Sequence, residues 1–71
     1  MKRNEVGKRI TAAREALGWT RYEAAKRMGV SRTAWNAWER SLHIPNVISL
    51  SRIAVILDTT QAALLGEGGG R

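Results

Sequence analysis

Residues Ser31 to Ser41 read SRTAWNAWERS, and this stretch decides how the whole chain is interpreted. Trp35 and Trp38 are three residues apart, so in a helix they share one face and can anchor the helix to a core. The opposite face is polar, small and cationic, and it carries Arg32, Thr33, Asn36, Ala37 and Arg40. A helix anchored from behind, with short polar groups and arginines in front, suits the reading of base edges in the DNA major groove.

Composition places limits on the class of protein. The chain has 71 residues, enough for one small domain, and 12 Lys and Arg against 6 Asp and Glu give a formal charge of +6. That charge favours an anionic partner, although it is also compatible with nothing more than good solubility. There is no cysteine and a single histidine, so neither a disulfide nor a metal site is expected.

No segment resembles a membrane anchor or an export signal. The longest apolar runs fall far short of the roughly 20 residues that span a bilayer. The basic N-terminus, MKRNEVGKRI, lacks the apolar stretch of a secretory signal. We therefore expect a cytoplasmic protein with no membrane partner, no cofactor and no small-molecule ligand.

Helical periodicity and capping residues divide the first half of the chain. Apolar residues at helical spacing predict helix 1 over residues 5–17, with Gly18 as its left-handed cap; they are Val6, Ile10, Ala13 and Leu17. Thr20 and Glu23 form a T-x-x-E capping box that begins helix 2, over 21–28.

Helix 2 is followed almost at once by helix 3. Gly29 and Val30 separate helix 2 from Ser31, which caps a helix ending near Arg40. So short a connection forces a sharp turn, and the small side chain of Ala25 allows the two backbones to approach closely. An ordinary helical hairpin has the same turn chemistry, so the turn alone does not establish a DNA-binding motif.

The second half of the chain predicts two more helices. Residues 41–45 form a loop, because Pro45 disfavours a helix at the residue before it. Asn46 can cap helix 4, and Thr60 a short last helix that presents Leu64 and Leu65 to the core. The apolar stripe predicted for helix 4 is Val47, Leu50, Ile53, Ala54 and Leu57. A single domain is expected over residues 1–66, followed by a flexible tail over 67–71.

Taken in order, these features resemble the Cro/C1-type helix-turn-helix family of phage repressors and small bacterial regulators. The resemblance covers about residues 6–66 and is carried by Arg14, Gly18, Trp19-Thr20, Ala25, Met28-Gly29-Val30-Ser31, Trp35, Trp38-Glu39-Arg40 and Pro45-Asn46. It implies an all-α, lambda-repressor-like fold of five helices, with helices 2 and 3 as the DNA-binding motif. Helix 3 would enter the major groove and helix 2 would cross above it.

The resemblance also implies roles for individual residues. The base-reading positions match Arg32, Thr33 and Ala37, and the phosphate-binding positions match Thr20 and Arg21. Asn36 and Arg40 flank the reading face, where either phosphate or a base is within reach; we expect Asn36 to read a base, and Arg40 and Ser41 to bind phosphate. Arg32 can pair with guanine or simply bind phosphate, and the residues leave both readings open. The positive charge of Arg21 is unfavourable at the start of helix 2, where the helix dipole is also positive. A nearby anion would remove this conflict.

Other matched positions are structural. The resemblance implies that Arg14 and Glu39 form a buried ion pair between helices 1 and 3; the alternative is two independent surface charges of little consequence. The expected core anchors are Trp19, Ala25, Val30, Trp35 and Trp38.

The chain departs from the family pattern at two helix exits. Ser41 and Asp58 stand where the family commonly has glycine, so either each adopts a left-handed conformation at some cost or the two exits differ in shape from those of the family. This leaves open the course of the 41–44 loop.

Three classes of function can be compared with these features. A sequence-specific DNA-binding regulator, most plausibly a repressor that blocks polymerase, fits best, and it would act as a homodimer that forms weakly or only on its operator. Apolar candidates for the self-contact are Ile48, Val55, Leu64 and Leu65, with burial inside the monomer as the alternative. An antitoxin-like module that binds DNA together with a protein partner is the second class. An enzyme is disfavoured, because no acid–base pair or nucleophile constellation is present.

Overall fold

The computed structural model describes residues 3–66 of the chain. The described part is all-helical, which confirms the predicted fold class. Its five helices are α1 (Arg3–Ala16), α2 (Arg21–Met28), α3 (Arg32–Glu39), α4 (Val47–Ile56) and α5 (Gln61–Leu65). The flexible tail predicted for residues 67–71 lies outside the described residues.

Four of the helices begin at the capping residues that the sequence predicts. Thr20 and Glu23 form a complete capping box, since Glu23 N donates to Thr20 Oγ1 at 3.1 Å and Thr20 N donates to Glu23 Oε1 at 3.0 Å. The side chains of Ser31, Asn46 and Thr60 each accept a hydrogen bond from the backbone three residues later. These bonds satisfy backbone donors that a helix start leaves unpaired.

The turn between α2 and α3 depends on a left-handed glycine. Gly29 has φ 77°, and Val30 N donates to Ala25 O at 3.0 Å, which closes the end of α2. Ser31 follows immediately as the N-cap of α3. The chain therefore turns sharply within two residues, and Ala25 of α2 is buried, at 2% exposed.

The two non-glycine exits adopt the backbone that the sequence requires of them. Ser41 has φ 62° and Asp58 has φ 58°, both in the left-handed region. At each exit the following residue closes the turn, with Leu42 N donating to Ala37 O and Thr59 N to Ala54 O. The loop after α3 thus leaves by the route that a glycine would take.

The core lies among all five helices. Trp35, Ile10 and Ile53 have no exposed surface at all, and they are surrounded by further apolar side chains. The buried set also contains Val6, Ala24, Ala25, Met28, Leu50, Ala54, Leu57 and Leu64. Helix α3 packs against α1 and α2, so its inner face is covered from two sides.

Two details of the sequence prediction are wrong, and one alternative that it left open is decided by the structure. Helix α1 spans residues 3–16 rather than 5–17, and Leu17 lies beyond its end, 38% exposed. Val47 is 74% exposed rather than buried, because it is the first residue of α4 and the core stripe begins one turn later, at Leu50. Leu64 is 1% exposed, so it belongs to the core and is not available for a self-contact.

Two long-range contacts that the sequence does not reveal fix the helices around α3. A Cβ on Gly7 would lie 2.4 Å from both Glu39 O and Ser41 Oγ, so α1 reaches the end of α3 only because residue 7 has no side chain. Arg52 of α4 donates from Nη2 to Met28 O at 3.1 Å, at the exit of α2. These contacts set the position of the two-helix motif from outside it.

No helix among residues 3–66 combines the length and the apolar character that crossing a membrane requires.

Candidate nucleic-acid interface

The outward face of α3 carries the side chains that the sequence singled out. Arg32, Thr33 and Arg40 are exposed, and Asn36 and Ala37 are half-buried. On the opposite side, Trp35 and Glu39 are buried and Trp38 is half-buried against the core. The helix is therefore divided into an anchored face and an open face.

Aromatic packing holds the anchored face in place. The rings of Trp35 and Trp38 meet edge to face, with centroids 5.8 Å apart. Trp35 Nε1 also donates to Glu39 Oε2 at 2.6 Å, one helical turn later. The indole thus fills the core and has its one polar group satisfied, as a buried tryptophan requires.

Arg14 and Glu39 form a buried ion pair between α1 and α3. Arg14 Nε donates to Glu39 Oε2 at 2.6 Å and Arg14 Nη2 donates to Oε1 at 3.3 Å. Arg14 Nη1 donates to Trp19 O at 2.6 Å, which joins the loop before α2 to the same group. Both side chains are at most 9% exposed, so neither behaves as an independent surface charge.

Burial and hydrogen bonding act in opposite directions on Glu39. Burial alone would raise its pKa, but hydrogen bonds from Arg14, Trp35 and Thr11 and the charge of Arg14 stabilise the carboxylate. The net effect holds the pKa of Glu39 below its ordinary value of 4.5. The group is therefore a carboxylate at neutral pH.

A second cation, which the sequence does not reveal, reaches the same carboxylate. Arg21, at the first position of α2, donates from Nε to Glu39 Oε1 at 3.0 Å, while its side chain remains 49% exposed. The signal was the placement of a cation at a helix start, which a nearby anion makes favourable. The structure supplies Glu39 as one such anion.

An open groove of about 690 Å³ runs between the start of α2 and the start of α3. It is lined by Arg14, Thr20, Arg21, Tyr22, Arg32 and Asn36. The groove thus brings together phosphate-binding candidates from α2 and base-reading candidates from α3. Tyr22, which is 56% exposed, adds an aromatic wall to the groove.

Asn36 has an unusual environment within this groove. Its Oδ1 atom is buried and has no hydrogen-bond partner among the described residues. A buried, unpaired amide oxygen costs free energy that a new donor would recover.

Further cations continue the positive surface along α2. The guanidinium of Arg27 lies 4.3 Å from the centre of the Trp19 ring, and exposed Lys26 precedes it in the helix. Arg40 and Ser41 lie at the far end of α3, about 12 Å from Arg32 at 1.5 Å per residue. Candidate phosphate contacts therefore lie at both ends of the reading face.

Among residues 3–66, no three His, Cys, Asp or Glu side chains come close enough together to hold a metal ion.

The fold and this surface define a helix-turn-helix DNA-binding domain. A family model described as helix-turn-helix matches residues 10–64, more than half of the chain. The chain therefore belongs to the Cro/C1-type helix-turn-helix family and is, in general terms, a DNA-binding regulator. Searches for similar curated proteins and similar solved structures found no significant match.

Proposed function

We propose that this protein is a transcriptional repressor that binds a specific duplex DNA operator and reads one half-site with residues 31–40. The observation that carries the proposal is the two-sided chemistry of α3. Trp35 is fully buried behind the helix, while Arg32 and Thr33 are exposed in front of it. A rigid helix with this division can present side chains to base edges at a constant depth.

Each residue of the reading face has a distinct role in this proposal. Arg32 donates two hydrogen bonds to a guanine, and Thr33 bonds a base or packs its methyl group against a thymine. Ala37 is small enough to let the helix sit deep in the groove. Asn36 turns its amide toward an adenine, which gives its buried oxygen the donor that the free protein lacks.

Phosphate contacts flank the reading face. Thr20 and Arg21 at the start of α2 bind one phosphate, where backbone N–H groups and the helix dipole favour an anion. Arg40 and Ser41 bind the backbone at the other end of α3. By occupying the operator, the protein excludes polymerase from an overlapping promoter.

A homodimer would place two reading helices on a symmetric operator. Ile48 and Val55 are seven residues apart on α4, so they share a face, and they are 73% and 77% exposed. Leu65 is half-buried beside the core. We propose that Ile48 and Val55 form the centre of a weak or DNA-induced self-contact, because two half-sites supply specificity that one short helix cannot.

A binding selection on random duplexes at near-physiological salt tests the DNA-binding proposal. The expected result is a symmetric consensus with half-sites about one helical turn apart. Equal retention of all duplexes, or of none, would overturn it. If six to ten phosphates are contacted, affinity should fall by about 10³- to 10⁵-fold between 50 and 200 mM salt.

The repressor role is tested separately with a reporter. The selected site is placed across a promoter, and expression of the protein should lower transcription. A rise in transcription would identify an activator instead.

The self-contact is tested with two matched substitutions. Ile48→Ser should reduce cooperative binding to the two-half-site operator and leave binding to a single half-site unchanged. Val47→Ser is the control, because Val47 is equally exposed but points about 100° away around the helix. Equal effects of the two substitutions would reject the proposed centre of the interface.

A further inference from the structure

The Glu39 carboxylate joins the core to the exposed groove. It accepts hydrogen bonds from Arg14 of α1, from Trp35 of its own helix and from Arg21 of α2. Of these three donors, Arg14 and Trp35 are buried and Arg21 is half-exposed. One buried acid thus touches both the residues that hold the fold together and a cation that faces solvent.

We infer that Glu39 is a positioning residue for DNA binding, because it aims the Arg21 guanidinium at a backbone phosphate. This inference rests on the proposed function and deepens it. Glu39 itself, with its side chain 1% exposed, would not touch the DNA. It would act entirely through Arg21.

The geometry of the contact between Arg21 and Glu39 explains how the guanidinium is oriented. A guanidinium is planar and has five N–H donors, of which Nε supplies one. Arg21 Nε donates to Glu39 Oε1 at 3.0 Å, and this bond fixes the orientation of the guanidinium plane. The donors on the two terminal nitrogens then remain for a phosphate, which can accept two of them in parallel.

The two oxygens of the Glu39 carboxylate differ in their hydrogen-bond donors. Oε2 is bonded at 2.6 Å by both Arg14 Nε and Trp35 Nε1, the contacts that support the core. Oε1 is 3.3 Å from Arg14 Nη2 and 3.0 Å from Arg21 Nε. The exposed arginine is therefore the nearer donor at the oxygen that faces the groove.

The surroundings favour an oxyanion at this place. Arg21 lines the groove with Thr20 and Arg32, at the start of the eight-residue helix α2. The helix dipole and the unpaired N–H groups of the first turn favour negative charge there. A phosphate diester of the DNA backbone has the charge and the paired oxygens that this arrangement requires.

The sign of the Glu39→Gln effect separates positioning from simple electrostatics. This substitution removes a negative charge and raises the formal charge from +6 to +7. A purely electrostatic role therefore predicts tighter binding to DNA. The positioning role predicts weaker binding, by about tenfold for the loss of one well-aimed phosphate contact.

A double-mutant cycle shows whether Glu39 acts through Arg21. Dissociation constants for the selected operator are measured by fluorescence anisotropy, below the melting temperature of every variant. Arg21→Ala should weaken binding about tenfold, and adding Glu39→Gln to it should change affinity less than about twofold. If the factors by which the two single substitutions weaken binding simply multiply in the double variant, the inference is overturned.

A second comparison leaves Glu39 intact, so it does not depend on that variant folding. Arg21→Lys keeps the charge but replaces the planar fork with a single point donor. If Glu39 positions the planar guanidinium, Arg21→Lys should lose most of the operator affinity that Arg21→Ala loses. Binding by Arg21→Lys equal to the unsubstituted protein would overturn the inference.

The matched control is Arg27, on the same helix, whose partner is the Trp19 ring rather than a carboxylate. Arg27→Ala should show no coupling to Glu39→Gln. If the unsubstituted protein retains no duplex at all, the proposed function fails. If it binds but the Arg21 cycle is additive, only the positioning role fails.

Discussion

Arg14 Nε and Glu39 Oε2 lie 2.6 Å apart, although the two residues are 25 positions apart in the chain. Each residue is 7% exposed, and they are the buried charged residues of the described chain. The pair joins α1 to α3, and through Trp19 O it also joins the loop before α2. The pair thus holds α1, α3 and the loop before α2 together on the buried side of α3.

Removing one member of this pair should strongly destabilise the fold. Glu39→Gln leaves Arg14 buried without a counter-charge, so we expect a loss of about 3–5 kcal/mol in the free energy of unfolding. Urea titration followed by tryptophan fluorescence measures it. Glu5→Gln is the control, because Glu5 pairs with Arg9 in a half-exposed i,i+4 bridge, and i,i+4 pairs on helices are worth about 0.3–0.5 kcal/mol. An unchanged melting temperature for Glu39→Gln would reject the structural role of the pair.

The same carboxylate predicts a pH dependence of stability. The folded protein holds the pKa of Glu39 below its ordinary value of 4.5, so the unfolded chain takes up the proton more readily. Its stabilisation is complete above pH 4.5 and is lost as the pH falls through the lowered pKa. The urea midpoint of the unsubstituted protein should thus fall more steeply below pH 4.5 than that of Glu39→Gln. Parallel pH profiles would contradict this assignment.

Gly7 is predicted to tolerate no side chain. Alanine is normally the better helix former by about 1 kcal/mol, but at this position its Cβ would lie 2.4 Å from Glu39 O. We expect Gly7→Ala to destabilise the fold by about 1–3 kcal/mol, because α1 and α3 must separate. Lys8→Ala, at the exposed neighbouring position of α1, should stay within about 0.5 kcal/mol. A Gly7→Ala variant as stable as Lys8→Ala would show that α1 and α3 can separate at Gly7 with little loss of stability.

Asp58 offers a stabilising substitution. Its φ of 58° is unfavourable for any residue with a Cβ, and the side chain is exposed. Asp58→Gly should raise stability by about 0.5 kcal/mol after the added freedom of the unfolded chain is counted. Asp58→Ala should lower it. Differential scanning calorimetry would contradict this account if the alanine variant melted higher than the glycine variant.

Arg32 is predicted to specify a base rather than only to bind phosphate. Arg32→Ala should relax the preference at one position in each half-site, with a loss of about 1–3 kcal/mol on the preferred base. The binding selection is repeated with this variant and with Lys8→Ala, which removes the same charge from α1. Equal weakening on every sequence by Arg32→Ala would reassign Arg32 to phosphate.

Local signals in the sequence predict much of this fold. The caps at Thr20, Ser31, Asn46 and Thr60 and the left-handed turn at Gly29 all involve groups within a few residues of each other. For the same reason, the open face of α3 follows from the spacing of its tryptophans alone. Side chains close in sequence are held in known relative positions by the helix itself.

What the sequence does not predict depends on how separate helices meet. No local pattern encodes the relative positions of separate helices, and both the close approach at Gly7 and the contact from Arg21 to Glu39 depend on those positions. The pairing of Arg14 with Glu39 was expected from family resemblance, not from spacing.

The hydrogen bond from Arg52 Nη2 to Met28 O links α4 to the last residue of α2, next to the turn of the helix-turn-helix motif. It steadies the last turn of α2, immediately before the chain reverses into α3. Genetic screens for lost operator recognition should consequently recover changes at position 52 as well as in the reading helix. The proposed operator specificity therefore depends in part on a residue outside the two helices of the motif.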